Sequence, residues 1–200
     1  MFPQRNLHHG VHRIARRGGV VVAAAGALLA ALLALPAQAG AEVVDGLCTA
    51  GGSTQEFSPG LTLEERNITV HQEGRLLGCA STERPAIKSG TFTFNGHGRA
   101  SCVQGSLAGD FIFTWYDSPV PGEGHVVGTS KVELELAVVL RPVGQNVAVA
   151  TGKVNAGNTY VGDDMTYTEA LVSPEAAKCL TSQGVQSQQG VSAGLVFVGL

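Results

Sequence analysis

The chain has 200 residues with 27 Gly, 8 Pro and 4 Cys, 14% charged residues and a formal net charge of -3. Residues 1–39 contain Arg5, Arg13, Arg16 and Arg17 and no Asp or Glu, so residues 40–200 keep 9 basic against 16 acidic side chains, a net charge of -7. That segment has no basic surplus with which to neutralise phosphates or an anionic lipid surface, which excludes a nucleic-acid-binding role and leaves a small, mildly acidic, Gly-rich domain.

The chain opens with a three-part leader. A basic stretch ending at Arg16-Arg17 precedes the apolar run Val20 to Leu35, and Pro36 and the small-residue site Ala37-Gln38-Ala39 follow. This is the pattern of a secretory signal peptide over 1–39. Spanning a bilayer takes about 20 apolar residues, so the run is short for an anchor. Arg16-Arg17 invites a twin-arginine reading, but Gly18-Gly19 follows where that signal carries bulky apolar residues, and the general secretory route is expected. The expectation is therefore a secreted, extracellular domain over 40–200 with no stable membrane anchor after cleavage.

All four cysteines, Cys48, Cys79, Cys102 and Cys179, lie in that segment. An even count in an exported chain reads as two disulfides, and three pairings are open. The pairing Cys48–Cys79 with Cys102–Cys179 is expected, because the first ties the opening segments together and the second ties the C-terminal part to the middle. Each closed loop stabilises by roughly 2–4 kcal/mol, mainly by restricting the unfolded chain. No C-x-x-C spacing occurs, the only His pair at metal-ligand spacing is His8 and His12 in the leader, and His71, His97 and His125 are isolated, so no metal and no cofactor are expected.

Beyond Gly40 the apolar residues recur with period two. Val132-Glu-Leu-Glu-Leu136 places Val132, Leu134 and Leu136 on one face and Glu133 and Glu135 on the other; Thr91 to Phe94, Phe111 to Trp115 and Met165 to Thr168 alternate likewise. Turn signals separate the runs at Ser58-Pro-Gly60, Asn95-Gly96, Gly105, Pro121-Gly122, 143–146 and Gly162-Asp163. Asn95-Gly96 predicts a two-residue hairpin. Nine strands are predicted, near 51–58, 65–74, 88–95, 97–104, 107–116, 125–140, 145–155, 160–172 and 186–199. One short helix of about two turns is predicted from the capping Ser173 with Pro174 following, ending near Cys179 and Leu180. Eight or nine short strands, each with one apolar face, predict an all-β, up-and-down antiparallel barrel, with a two-sheet β-sandwich as the alternative.

The order Cys48-Thr-Ala-Gly-Gly-Ser53, Phe57-Ser-Pro-Gly-Leu-Thr62, Gly90-Thr-Phe-Thr-Phe-Asn-Gly-His-Gly98, Cys102, Phe113-Thr-Trp115 and Ala177-Lys-Cys-Leu180 resembles a family of small secreted four-cysteine β-rich proteins of actinomycete bacteria. The resemblance implies secretion and an all-β fold, and it carries no activity and no catalytic residues.

Motifs for catalysis are weak. Gly190-Val-Ser-Ala-Gly194 matches the nucleophile elbow, but that chemistry needs a strand-to-helix turn with an acid and a His following, and only a strand-like run follows here. It reads as a Gly-flanked entry to the last strand. Glu133 and Glu135 share a strand face and do not oppose each other as a glycosidase pair must. Asp163-Asp164 beside Asn155 and Asn158 lacks the spacing of a Ca²⁺ loop and reads as turn chemistry. Asn67-Ile-Thr69 is a formal glycosylation sequon without meaning in a bacterial setting. No catalytic residue is assigned. Trp115 continues the Phe111/Phe113 face, and Tyr116 falls on the opposite face near Asp117-Ser-Pro119; the two are the candidate ligand contacts.

The sequence thus supports a secreted, non-catalytic barrel with a binding or surface role toward an extracellular small molecule, glycan or protein. Two alternatives make different structural predictions. If Ala148, Ala150 and Gly152 line an open interior, a lipocalin- or avidin-like carrier pocket follows, whereas Phe92, Phe94, Phe111, Phe113 and Trp115 filling it would leave function to the outside. A secreted hydrolase would show a cleft with His71, His97 or His125 beside a Ser and a carboxylate.

Overall fold

The computed structural model describes residues 42–140 and 146–199, without side chains over 134–140; the predicted signal peptide at 1–39 and most of the predicted turn at 143–146 lie outside the described residues. Eight antiparallel strands, β1 (Val43–Leu61), β2 (Arg66–Ser81), β3 (Ser89–Ala100), β4 (Gly105–Tyr116), β5 (Val126–Leu140), β6 (Asn146–Gly157), β7 (Asp164–Val172) and β8 (Val185–Gly199), pair in chain order. β8 pairs with β1 and closes an up-and-down barrel. Closure removes every open strand edge, which a sandwich would leave exposed.

The strand count is one fewer than predicted because Asn95-Gly96 makes no hairpin. β3 runs straight through it, with Asn95 opposite His71 and Gly96 opposite Val70 on β2. Gly96 faces inward, where a Cβ would collide with the Phe94 ring and the Ala108 carbonyl oxygen. The glycine thus serves packing rather than a turn, and strand alternation overrides the local dipeptide signal. Ser58-Pro-Gly60 likewise lies inside β1, whose register with β8 shifts between Glu56 and Leu61. The turn at Gly162-Asp163 forms as expected, with the Asp163 amide donating to the Tyr160 carbonyl at 3.0 Å.

The predicted two-turn helix is a single 3₁₀ turn, Ala176–Leu180. Ser173 does not cap it: its Oγ is buried without a hydrogen-bond partner, and the turn begins after Glu175. The segment is held from outside instead, by the Cys102–Cys179 disulfide and by the Leu63 amide donating to the Cys179 carbonyl at 3.2 Å. Such tethering favours a compact turn over helix growth. The other disulfide joins Cys48 and Cys79, directly opposite on β1 and β2, so both bonds follow the expected pairing.

The interior is filled. Phe111, Phe113 and Trp115 recur every second residue on β4 and stack at centroid separations of 5.5 and 5.4 Å. Phe92 and Phe94 add from β3, with Phe94 stacked on Phe111 at 4.6 Å. Ala148 and Ala150 on β6 are buried across from these rings, and their small size leaves the room that the rings occupy. At one end Tyr160 stacks on Phe197 at 4.3 Å and meets Trp115 edge-on at 5.7 Å, closing the barrel. Gly46 is required beneath this plug, since a Cβ there would overlap the Tyr160 ring. No helix among the described residues is long and apolar enough to cross a membrane.

Candidate functional site

Two places in the barrel carry polar chemistry: one inside, and one on the outer wall directly over it.

The inner one centres on Glu169, which is 1% exposed. Alternation on β7 sends Met165, Tyr167, Glu169 and Leu171 inward together. Glu169 Oε1 accepts from Ser53 Oγ at 2.5 Å and from the Tyr167 hydroxyl at 2.9 Å. Its Oε2 accepts from Gln72 Nε2 at 2.9 Å and from Gln55 Nε2 at 3.2 Å. The carboxylate reaches Ser53 and Gln55 on β1 across the intervening β8 because Gly190 offers no side chain in its path. No Lys, Arg or His among the described residues hydrogen-bonds to it. Burial pushes the Glu169 carboxyl above the ordinary carboxylate range, and its four hydrogen bonds only partly oppose that. Burial, together with the adjacent Glu169, likewise raises the Tyr167 phenol. Next to this network lies an enclosed cavity of about 20 Å³ lined by Gln55, Gln188, Ser101, Leu107 and Leu171, which is room for about one water molecule.

The outer site lies on the other side of the same wall. A trough of about 970 Å³ lies over β8, β1 and β2, where Gly52 shares the outward parity of the exposed Thr54 and leaves backbone uncovered. Thr54, Glu73, Arg75, Thr93, Ile112 and Val191 line that trough. A second groove of about 820 Å³, lined by Glu56, Ser58, Thr69, His71, Asn95 and His97, continues along the same strands. The two adjoin, because Thr54 and Glu56 on β1, and Glu73 and His71 on β2, are successive outward positions. They remain two grooves, with no lining residue in common.

In the second groove, His71 Nδ1 lies 2.8 Å from Asn95 Oδ1 and Nε2 lies 3.4 Å from Glu73 Oε1. The Asn95 contact, aided by Glu73 and Glu56, raises the His71 pKa against the opposing effect of desolvation. The groove does gather His71 and His97 near Ser58, Ser187 and Glu56, as the hydrolase reading requires. The chemistry of that reading is not assembled, however: the His71 ring nitrogens face Asn95 and Glu73, and no hydrogen bond joins a His ring to a Ser hydroxyl among the described residues. His125 stands apart on the β4–β5 loop, 3.2 Å from Asp117 Oδ2.

The two residues singled out from the sequence separate. Trp115 is 1% exposed, and its Nε1 donates to Ser130 Oγ at 3.0 Å, so its surface belongs to the core. Tyr116 points outward and is half-buried, with its hydroxyl 3.5 Å from Thr91 Oγ1 at the margin of the trough. Ser192 of the elbow-like motif lies mid-strand on β8, opposite Glu169, and not at a strand entry. Lys153 pairs with Asp164 at 3.3 Å, and among the described residues no cluster of His, Cys, Asp and Glu has the geometry of a metal site.

Sequence reasoning did not single out Glu169, Gln55 or Gln72. The signal was available: the alternation that turns Met165 and Tyr167 inward turns Glu169 inward too. No family model matches the chain, and no curated protein or solved structure shows significant similarity to it.

Proposed function

We propose that this is an exported, non-catalytic binding protein that recognises its partner on the outer wall of a sealed barrel. The observation that carries this reading is the filled interior. Stacked Phe and Trp rings occupy the space a carried ligand would need, and the enclosed cavity of about 20 Å³ admits no small molecule of drug or cofactor size. Recognition is thereby directed outward, to the trough and groove over β8, β1, β2 and β3. The leader at 1–39, two disulfides and the resemblance to secreted actinomycete proteins support export into an oxidising compartment.

Two experiments test it. Native mass spectrometry of the exported protein is expected to show the bare polypeptide, and a co-purifying small molecule would restore the carrier reading. A photo-crosslinking amino acid at Thr93, in the trough, is expected to capture a partner in the producing culture, whereas the same probe at the exposed Thr151 on β6, across the barrel from β2, captures none. Equal capture at both positions, or at neither, defeats the outer-wall reading.

A further inference from the structure

We infer that the seam between β7 and β8, at the 3₁₀ end of the barrel, is a proton-operated opening. With Glu169 protonated the seam is shut; loss of that proton frees the start of β8 and admits water to the polar end of the interior, while the aromatic end stays closed.

The ladder is thinnest at this place. β7 ends at Val172, whose partner is Gln189, so residues 185–188 of β8 have no β7 neighbour. On their other flank the pairing with β1 is interrupted: Glu56 faces Ser187, but the next pair is Leu61 with Val185, which leaves residues 57–60 against Gln186 alone. A strand held on one flank by a broken ladder opens at lower cost than one paired on both. Toward the other end β8 is paired on both flanks from Leu195 to Val198, beneath the stacked Tyr160 and Phe197. The connection beside the seam gives little cover, since the 3₁₀ turn Ala176–Leu180 has no buried residue and is moored by the Cys102–Cys179 disulfide and the Leu63 amide.

Glu169 clamps this seam. It lies three residues before the end of β7 and bonds to Ser53 and Gln55 on β1 and to Gln72 on β2. Among the described residues, no other side-chain hydrogen bond ties β7 to β1 or β2.

Nothing around the carboxyl balances a negative charge. Its inward neighbours are Ser53 and Gln55 on β1, Gln72 on β2, Ala148 on β6 and Ser192 on β8, all uncharged. Tyr167 on β7 is the one titratable neighbour, and burial keeps its phenol protonated; Phe92 and Phe111 from β3 and β4 meet that ring. Glu56, His71 and Glu73 point outward. Arg66 shares the inward parity of Gln72 but lies six residues away, about 20 Å along β2. Ionised Glu169 is therefore solvated only if water enters.

The interior is prepared for water at that end. The enclosed cavity of about 20 Å³ touches Gln55, Leu171 and Gln188, one residue from each strand at the seam. Ser173 Oγ, just past the end of β7, and Ser192 Oγ, opposite Glu169, are buried without a hydrogen-bond partner, so hydration satisfies groups that the closed state leaves unpaired.

Hydrogen exchange of the exported protein, read by mass spectrometry from pH 5 to pH 8 and corrected for intrinsic rates, tests the opening. Amides of 169–172 and 185–188 are expected to be at least tenfold less protected than those of 111–116 and to exchange through an opening that 1 M urea does not promote. Their protection should fall with rising pH, by up to about tenfold per unit until Glu169 is ionised in the fold. In Glu169→Gln the local opening should lose its pH dependence. Seam amides as protected as 111–116 at every pH, an opening promoted by urea like global unfolding, or a local opening indifferent to pH would each overturn the inference, and these comparisons need only the wild type. Unchanged pH dependence in Glu169→Gln would also overturn it.

Discussion

Gly190 on β8 lies between Glu169 on β7 and Ser53 on β1, and the absence of a side chain there is what allows the Glu169 carboxylate to reach the Ser53 hydroxyl. A methyl group at Gly190 would collide with the Glu169 carboxylate. Gly190→Ala is therefore expected to cost about 3 kcal/mol or more, combining overpacking with donors on Ser53, Gln55 and Gln72 left unpaired. Gly122→Ala is the control: its φ is 85° and nothing lies within 4 Å of the added carbon, so only the backbone penalty of about 1 kcal/mol applies. Urea denaturation of the two variants checks the difference, and equal costs would refute the relay across β8.

The stability of the barrel should fall as pH rises through the titration of Glu169. Its carboxyl pKa in the fold is raised, by burial first, above the ordinary 4.5, so the folded state holds a proton that the unfolded chain has released. Stability from this group is complete below about pH 4.5 and is lost as pH climbs through the folded value. Asp163, raised by burial and then by Asp45, Glu83 and Asp164, contributes with the same sign. Asp117, lowered by the His125 amide, contributes with the opposite sign from an exposed site. Thermal midpoints measured from about pH 4.5 upward should decline in the wild type and decline less steeply in Glu169→Gln, where the raised Asp163 and His71 still contribute. A parallel decline in both would show that other groups set the slope.

The two disulfides should differ modestly in value. Cys48–Cys79 closes 31 residues and Cys102–Cys179 closes 77, and loop entropy gives the second an advantage of about 0.8 kcal/mol. Guanidinium denaturation of Cys48→Ala/Cys79→Ala and Cys102→Ala/Cys179→Ala should rank them in that order. The second pair should also release the 3₁₀ turn at Ala176–Leu180, seen as early hydrogen exchange there.

The chain has a single tryptophan, and Trp115 is 1% exposed between Phe113 and Tyr160. Its emission is expected to be blue-shifted and insensitive to iodide until the barrel unfolds. Phe111→Ala, which opens the centre of the stack, should cost about 3–5 kcal/mol and make that emission quenchable. Iodide quenching in the native wild type would contradict a sealed interior.

Much of this architecture could be read from alternation alone. Phe111, Phe113 and Trp115 announce an inward face on β4, and Met165 and Tyr167 do so on β7, because strand side chains alternate whatever the neighbours are. Asn95-Gly96 misled for the same reason: a turn-forming dipeptide is a local preference, and pairing with β2 and β4 on both sides outweighs it. The Glu169 network was half legible. Parity turns the residue inward, but nothing local shows that Ser53, Gln55 and Gln72, more than 90 residues away, supply its donors.

By itself, the sequence determined the charge of the domain, its basic N-terminal stretch, most of its strands and the residues that face inward, since each depends on composition or on near neighbours. Tertiary structure decided that the barrel is full, that Gly190 admits a carboxylate to its centre, and that Thr54 and Thr93 border one trough. Those outcomes depend on which strands become neighbours when β8 closes on β1, and that pairing joins residues too far apart in sequence for any local signal to register.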